Sequence, residues 1–325
     1  MNQKKAFRLL LVLLLSALCL TTLIACGENN TVPETIYHTV SFDSTGGSQV
    51  APQQVEAGKL AQKPLDPVKE GFVFGGWKNG VLDFVFDANK ITQPISLSAS
   101  WLSAEDAFSF EVIQETEEAI LTGVNRELNL DVLALPSVLR GFTVTKIADE
   151  AFASLSSEMI RSVTVPPSIT SVGKGAFANC ADIPITLGGP LQEIGEEAFR
   201  GCNQLTAISF SEGMDSIPFA SFLGCSSIRS LVIPDSVRVI SENAFEDCSG
   251  IVYTVLPATL ERVEDSAFDN CKIKNVFCKG NNTDLAPVIG SKNDSLTEAN
   301  RYFYSEAPAG GNAWYFDANG VPKIH

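Results

Sequence analysis

Cys225-Ser-Ser-Ile228-Arg-Ser-Leu231-Val-Ile233-Pro234-Asp-Ser-Val237-Arg-Val-Ile240-Ser-Glu-Asn-Ala244-Phe245 is one unit of a repeat that fills the second half of this 325-residue chain. Leu231 and Ile233 alternate with Ser230 and Val232, which is the period of a half-buried strand. Pro234 ends that strand, because proline has no N–H to give to the ladder. Val237 and Ile240 supply a second short inward-facing segment. Ser241 to Glu246, with its polar start and its alanine, reads as one helical turn that drives Phe245 inward. The same order recurs on either side. Phe152, Phe177, Phe199, Phe222, Phe245 and Phe268 are spaced by 25, 22, 23, 23 and 23 residues. Cys180, Cys202, Cys225, Cys248 and Cys271 each follow the last five by three residues, and Leu155 holds that place in the first unit. A fixed period near 23 marks a stacked solenoid, in which each unit buries its apolar face only against its neighbours.

The pattern Ala-Phe-x-x-Cys-x-x-Leu-x-x-Ile-x-Ile-Pro resembles the BspA-type leucine-rich repeat, over about Leu133 to Cys278. Two departures fall close together: Ser221-Phe222 replaces Ala-Phe, and Ser211 replaces the strand-end proline. They place the register of residues 211–222 in question. The Cys180 unit is also one residue short. Arg301 to Glu306 and Trp314 to Pro322 look like the cap that closes such arrays. Upstream, His38-Thr-Val-Ser-Phe-Asp-Ser-Thr-Gly-Gly47, Glu70-Gly-Phe-x-Phe-Gly-Gly-Trp77 and Leu97-x-Ala99-x-Trp101 follow one another in an order that resembles the Listeria–Bacteroides repeat, also called the internalin B-repeat. That family is a small β-grasp-like module of bacterial surface proteins. Trp77 and Trp101 read as its core rather than as a sugar platform.

The resemblances together imply a mainly β protein: a right-handed leucine-rich-repeat solenoid with N- and C-terminal caps, preceded by a small β-grasp-like module. Residues 1–25 carry Lys4, Lys5 and Arg8 ahead of a short apolar run, the order of a secretory signal peptide. Leu23-Ile24-Ala25-Cys26 resembles the bacterial lipobox, which implies lipidation of Cys26 and export to the cell envelope, outward-facing. Residues 26–36 then form a tether, 37–102 the module, 103–132 an N-terminal cap, 133–280 the repeats and 281–325 a C-terminal cap. About seven turns at about 4.8 Å each give a stack of roughly 35 Å.

A net charge of −15 disfavours nucleic acid and anionic headgroups as partners, so the expected membrane link is the lipid. Five of the eight cysteines lie in one register and read as small, reduced, buried packing rather than disulfides. Only two histidines, His38 and His325, are present, and neither sits in a metal or nucleophile motif. No phosphate loop or dinucleotide fingerprint appears, so no cofactor, metal or catalytic residue is expected. The acidic column Asp149-Glu150, Glu196-Glu197, Glu242 and Glu264-Asp265 reads as a solvated rim, with calcium as the alternative.

Family members are surface proteins associated with adhesion and protein binding, so the resemblance implies a non-enzymatic binding protein. Alternatives are a short-range envelope scaffold or wall-binding module and, more distantly, a glycoside hydrolase using paired carboxylates. Outward strand positions form a column Thr164, Thr186, Ser209, Val232, Val255, Phe277, beside Ser162, Pro184, Ala207, Ser230, Tyr253, Asn275. Val232, Tyr253, Val255 and Phe277 are therefore the expected contact patch for a protein or polysaccharide ligand. Coverage of that patch by residues 281–325 is the competing expectation.

Overall fold

In the computed structural model, residues 35–127, 130–158, 160–280, 289–305 and 312–325 are described. The expectations for the leader, the Cys26 lipid site and most of the tether lie outside these residues. His38–His325 forms one compact unit.

The first sheet holds β1 (Tyr37–Asp43), β2 (Gln53–Glu56), β3 (Phe72–Asn79), β4 (Leu82–Asp83) and β5 (Ile95–Ser103), in the order β2-β1-β5-β3-β4. β1 runs parallel to β5, and β3 antiparallel to it. Alternation buries Val40, Trp77 and Leu97 on one face, with Ile91 beside them. Val73 points the other way and joins the core of the repeats. The module and the solenoid are thus packed together through β3.

The short helix α1 (Ala104–Ala107) is capped by Ser103, whose Oγ accepts from the Glu105 N–H at 3.1 Å. The hairpin of β6 (Phe108–Ile113) and β7 (Glu118–Val124) follows. β7 pairs in parallel with β10 (Phe142–Ile147), and Phe108 meets Phe152 edge-on at 6.4 Å, so the hairpin closes the N-terminal end of the phenylalanine ladder.

The repeats stack as a β-solenoid of about eight turns. A regular turn offers one strand to each of two sheets; the turn that starts at Cys202 gives a strand only to the second. One sheet face begins with β8 (Leu130–Ala134), β11 (Ile160–Val165) and β13 (Ile185–Leu187). It resumes with β16 (Ser230–Val232), β18 (Tyr253–Leu256) and β20 (Asn275–Cys278). The second sheet is built of two- to six-residue strands: β12 (Ser171–Val172) and β14 (Glu193–Ile194) continue β10, and β15 (Ser216–Ile217), β17 (Val239–Ile240) and β19 (Arg262–Val263) form the later part. The two-residue strand β9 (Val138–Leu139) pairs only at the edge of β10. The stack exceeds the expected seven turns because the tail continues it. β21 (Asn300–Tyr304) and β22 (Ala313–Phe316) add in parallel to β20, and only β23 (Pro322–Ile324) turns back antiparallel.

Both sheets are interrupted at the same place. No pairing joins β14 to β15 or β13 to β16 among the described residues. Ser209 does not lie against Thr186 as the sequence alignment had it. Instead the Leu191 N–H donates to the Ser209 carbonyl at 2.9 Å, and Ser211 N–H to the Leu191 carbonyl at 2.7 Å, so the strand after the short unit pairs further along its neighbour. The irregularity lies between Leu187 and Ser216, mostly upstream of the residues 211–222 that the substitutions at 211 and 221 put in question, and from Ser216 onward the pairing with β17 is regular.

The phenylalanine ladder crosses this break intact. Successive rings from Phe152 to Phe268 stack at 5.2–5.5 Å and within 20° of parallel. The segment before each ring is not the helical turn expected from Ser241 to Glu246. Two residues per turn take left-handed backbone, for example Asn243 (φ 57°) and Asp247 (φ 60°) around Phe245. This curls the chain into tight turns and aims its amides at the next turn: Phe245 N–H donates to the Ala267 carbonyl at 2.8 Å. An α-helix would spend those donors within its own segment.

Candidate ligand-binding face

The outward column is in register where the strands pair. Thr164 lies beside Thr186, and Val232, Val255, Phe277 and Tyr302 follow one another across β16, β18, β20 and β21. Exposure does not follow the expectation. Val255 is 0% and Phe277 4% exposed, so the contact patch of Val232, Tyr253, Val255 and Phe277 does not exist as an open surface. Phe277 and Val255 belong with Trp314 to a separate aromatic core on the outer side of the sheet, flanked by Tyr253, Tyr302 and Phe316. Trp314 stands 5.3 Å from the Phe277 ring, and its indole N–H donates to the Cys278 carbonyl at 3.0 Å. Large rings reach across two strands, and the indole has a buried acceptor, so the tail strands cover what the repeat leaves apolar. Lys279 ties this cluster down, pairing with Asp235 at 2.8 Å.

Of the four patch residues, Val232 stays open, 43% exposed, and Tyr253 is half-buried with its ring edge-on to Phe277. Thr164, Pro184 and Thr186 are exposed on the earlier part of the same face. The accessible face is therefore small and hydroxylated towards the N-terminal turns, and ends on Val232.

The acidic column serves the backbone. Asp149 accepts from the Lys174 N–H at 2.8 Å, Glu264 from the Glu242 N–H at 3.1 Å, and Asp265 from the Ser291 N–H at 2.8 Å. Glu196 pairs with Lys174 at 2.7 Å. These carboxylates cap amides of neighbouring turns at a solvent-facing rim. Among the described residues, no three of His, Cys, Asp or Glu converge as a metal site would require.

The cysteines have a role that the sequence reading missed. All six in the described residues are free and buried. The thiols of Cys180, Cys202, Cys225, Cys248 and Cys271 each donate to the carbonyl of the phenylalanine one turn back, at 3.1–3.2 Å. Burial pushes the thiol pKa up, to about 11 at Cys180 and about 12 at Cys225 and Cys271. The clue available in the sequence was that Ser295 follows Cys271 by one further unit: its Oγ donates to the Phe268 carbonyl at 2.8 Å, in the cysteine's place.

Among the described residues, no helix is long and apolar enough to cross a membrane.

Comparison with known proteins agrees with the repeat geometry. Residues 130–251 and 183–297 match the BspA type leucine rich repeat region, in six copies, and residues 38–99 match the Listeria-Bacteroides repeat domain. A protein of Evansella cellulosilytica described as a Gly-rich membrane protein is 37% identical over 91 residues, which is 25% of this chain and 10% of that protein. A second membrane protein of that organism is 37% identical over 78 residues, or 23% of this chain and 12% of its own length. The chain thus spans about a tenth of the length of these curated relatives. Among solved structures, a leucine rich cell surface protein from Faecalibacterium prausnitzii is 23% identical, covering 68% of this chain and 59% of that one, with a TM-score of 0.49. The Treponema pallidum leucine rich repeat protein is 23% identical, covering 62% of this chain and 85% of that one, with a TM-score of 0.47. The matched repeats span more than half of the residues, and this chain belongs to the BspA-type leucine-rich-repeat family, joined here to a Listeria–Bacteroides repeat domain.

Proposed function

We propose that this chain is a non-enzymatic protein of the bacterial cell envelope that binds a macromolecular ligand, protein or polysaccharide, on the outer face of its solenoid. Membership of a family of surface proteins and the membrane-protein names of its relatives support the location. Cys26, in its lipobox-like setting, is the proposed lipid anchor. The observation that carries the binding role is the open outer face itself. Thr164, Thr186 and Val232 stay exposed while the aromatic cluster around Trp314 seals the turns beyond them. Exposed strand positions bearing hydroxyls on β11 and β13, with an apolar side chain on β16 beyond the break, suit a partner surface, since interfaces combine apolar and polar contacts.

Capture from intact cells and from extracted wall material tests this with a Thr164→Arg, Thr186→Arg, Val232→Arg variant. The expected outcome is loss of a ligand that the wild-type chain retains. Equal capture by both would overturn the outer-face assignment. The anchor has its own check: Cys26→Ser should move the protein from the membrane fraction to the medium.

A further inference from the structure

Val81 and Leu82 are 89% and 72% exposed at the tip of the β3–β4 hairpin. The tip closes on the pairs Lys78–Asp83 and Asn79–Leu82, and Gly80 (φ 64°) supplies its left-handed residue. Tight turns favour glycine, asparagine, aspartate, proline and serine, for their backbone and their solvation. A valine followed by a leucine runs against that preference, and with most of their surface in water the two side chains contribute little to the core. The position of the tip supplies a use for them. Lys78 pairs with Ser98 of β5, Ser98 also pairs with Asp43 of β1, and Ile95 at the start of β5 pairs with Val40. The tip therefore lies at the end of the sheet where β1 begins, which is where the chain arrives from Cys26. The opposite end, where Phe72 pairs with Ser103, leads into α1 and the repeats. Cys26 precedes His38 by 12 residues, a reach of roughly 40 Å at most.

We propose that this hairpin tip inserts into the phospholipid surface that carries the Cys26 anchor, so that the module and not the repeats meets the membrane. The proposal rests on the reading of Cys26 as a lipid site. Charge favours the same orientation. Residues 38–102 carry five Lys against six Asp and Glu, whereas residues 103–325 carry 15 Lys and Arg against 30 Asp and Glu. Anionic headgroups repel the repeats and leave the module nearly unaffected. At the tip itself Lys78 and Asp83 pair at 3.0 Å and cancel. The contact is thus apolar, two aliphatic side chains reaching the boundary between headgroups and acyl chains.

The chain from residue 26 onward with Cys26→Ser tests the tip apart from the anchor, since it has neither leader nor lipid and keeps the whole compact unit His38–His325. Val81→Cys in that background, labelled with nitrobenzoxadiazole, is titrated with phosphatidylcholine vesicles to millimolar lipid; the native thiols are buried and escape the label. The expected result is a blue shift of the emission. Val68→Cys is the control. Val68 is 74% exposed but belongs to the opposite end, next to Lys69, whose ammonium lies over the Phe72 and Trp101 rings. Its label should stay aqueous. In vesicle flotation of the unlabelled chain, Val81→Ser with Leu82→Ser should lower binding at least about tenfold, and high salt should leave binding unchanged. No shift at position 81, an equal shift at position 68, or binding lost in high salt would each overturn the proposal. A shift at 81 that grows with protein concentration without vesicles would overturn it too, and would assign the tip to a second copy of the chain. None of these measurements uses the lipid, so fractionation of Cys26→Ser remains a separate test of the anchor.

Discussion

Asn293 shows how much one side chain decides in a structure made of repeats. It is buried, and its Oδ1 accepts from the Phe268 N–H at 2.8 Å, in the place where every earlier phenylalanine amide finds a backbone carbonyl. Its Nδ2 donates to the carbonyls of Glu264, Gly290 and Ser291. Asn293→Ala should therefore destabilise the protein by about 1–3 kcal/mol, the cost of leaving a buried donor unpaired, measured by urea unfolding. Ser221 and Thr254 offer the opposite case. Both are fully buried, and neither hydroxyl has a partner among the described residues. Ser221 stands in a column otherwise held by Ala176, Ala198, Ala244 and Ala267. Ser221→Ala and Thr254→Val should each raise stability by about 1 kcal/mol in the same measurement. The cysteines set a pH limit. Their pKa values lie above the ordinary thiol value near 9, at about 11–12 for Cys180, Cys225 and Cys271, because burial disfavours the thiolate. Between those limits the unfolded chain loses protons that the folded chain keeps, so stability is constant below about pH 9 on this account and falls as pH rises through the window. Melting curves from pH 8 to pH 11 check the sign. Alkylation should reach these thiols only on unfolding.

The phenylalanine ladder and the sheets respond differently to the irregular unit between Leu187 and Ser216. The rings stay stacked across it, Phe199 to Phe222 at 5.4 Å, while the strands on both faces part. Stacking depends on the spacing of one residue per turn, whereas strand pairing depends on every residue between, and the Cys180 unit is one residue short. Phe222→Ala should cost about 3–5 kcal/mol, as for other buried phenylalanines, because the ladder is the continuous element there. Amides of residues 206–208, which form no strand, should exchange with solvent faster than those of β11 or β18 in native-state hydrogen exchange. Protection at 206–208 equal to that of β18 would contradict the break. The repeat elements were legible in the sequence: Pro234 and Pro257 end strands where expected, and β18 and β20 carry the predicted inward and outward positions. The turn before each phenylalanine was not legible, because the left-handed residues there include Glu150, Glu197 and Ser266, types with no marked preference for that backbone.

In the molecule as a whole, the ends decide what the repeats can present. A solenoid leaves apolar surface at its termini, which must be closed. Here the β6–β7 hairpin closes one end with Phe108, and the tail closes the other with α2 (Asp294–Thr297), whose Leu296 is fully buried, and then with Trp314 on the outer face. Trp314→Ala should uncover Val255 and Phe277 and cost about 3–5 kcal/mol. Increased binding of a hydrophobic dye at temperatures below unfolding would report the opened face.

The sequence by itself determined the repeat, its inward residues and the buried cysteine column, because a period of 23 with phenylalanine and cysteine in one register has a single economical burial. Only the tertiary structure decided which outward residues are accessible. Burial of Val255 and Phe277 depends on Tyr302 and Trp314, which lie 25 or more residues away and outside the repeat.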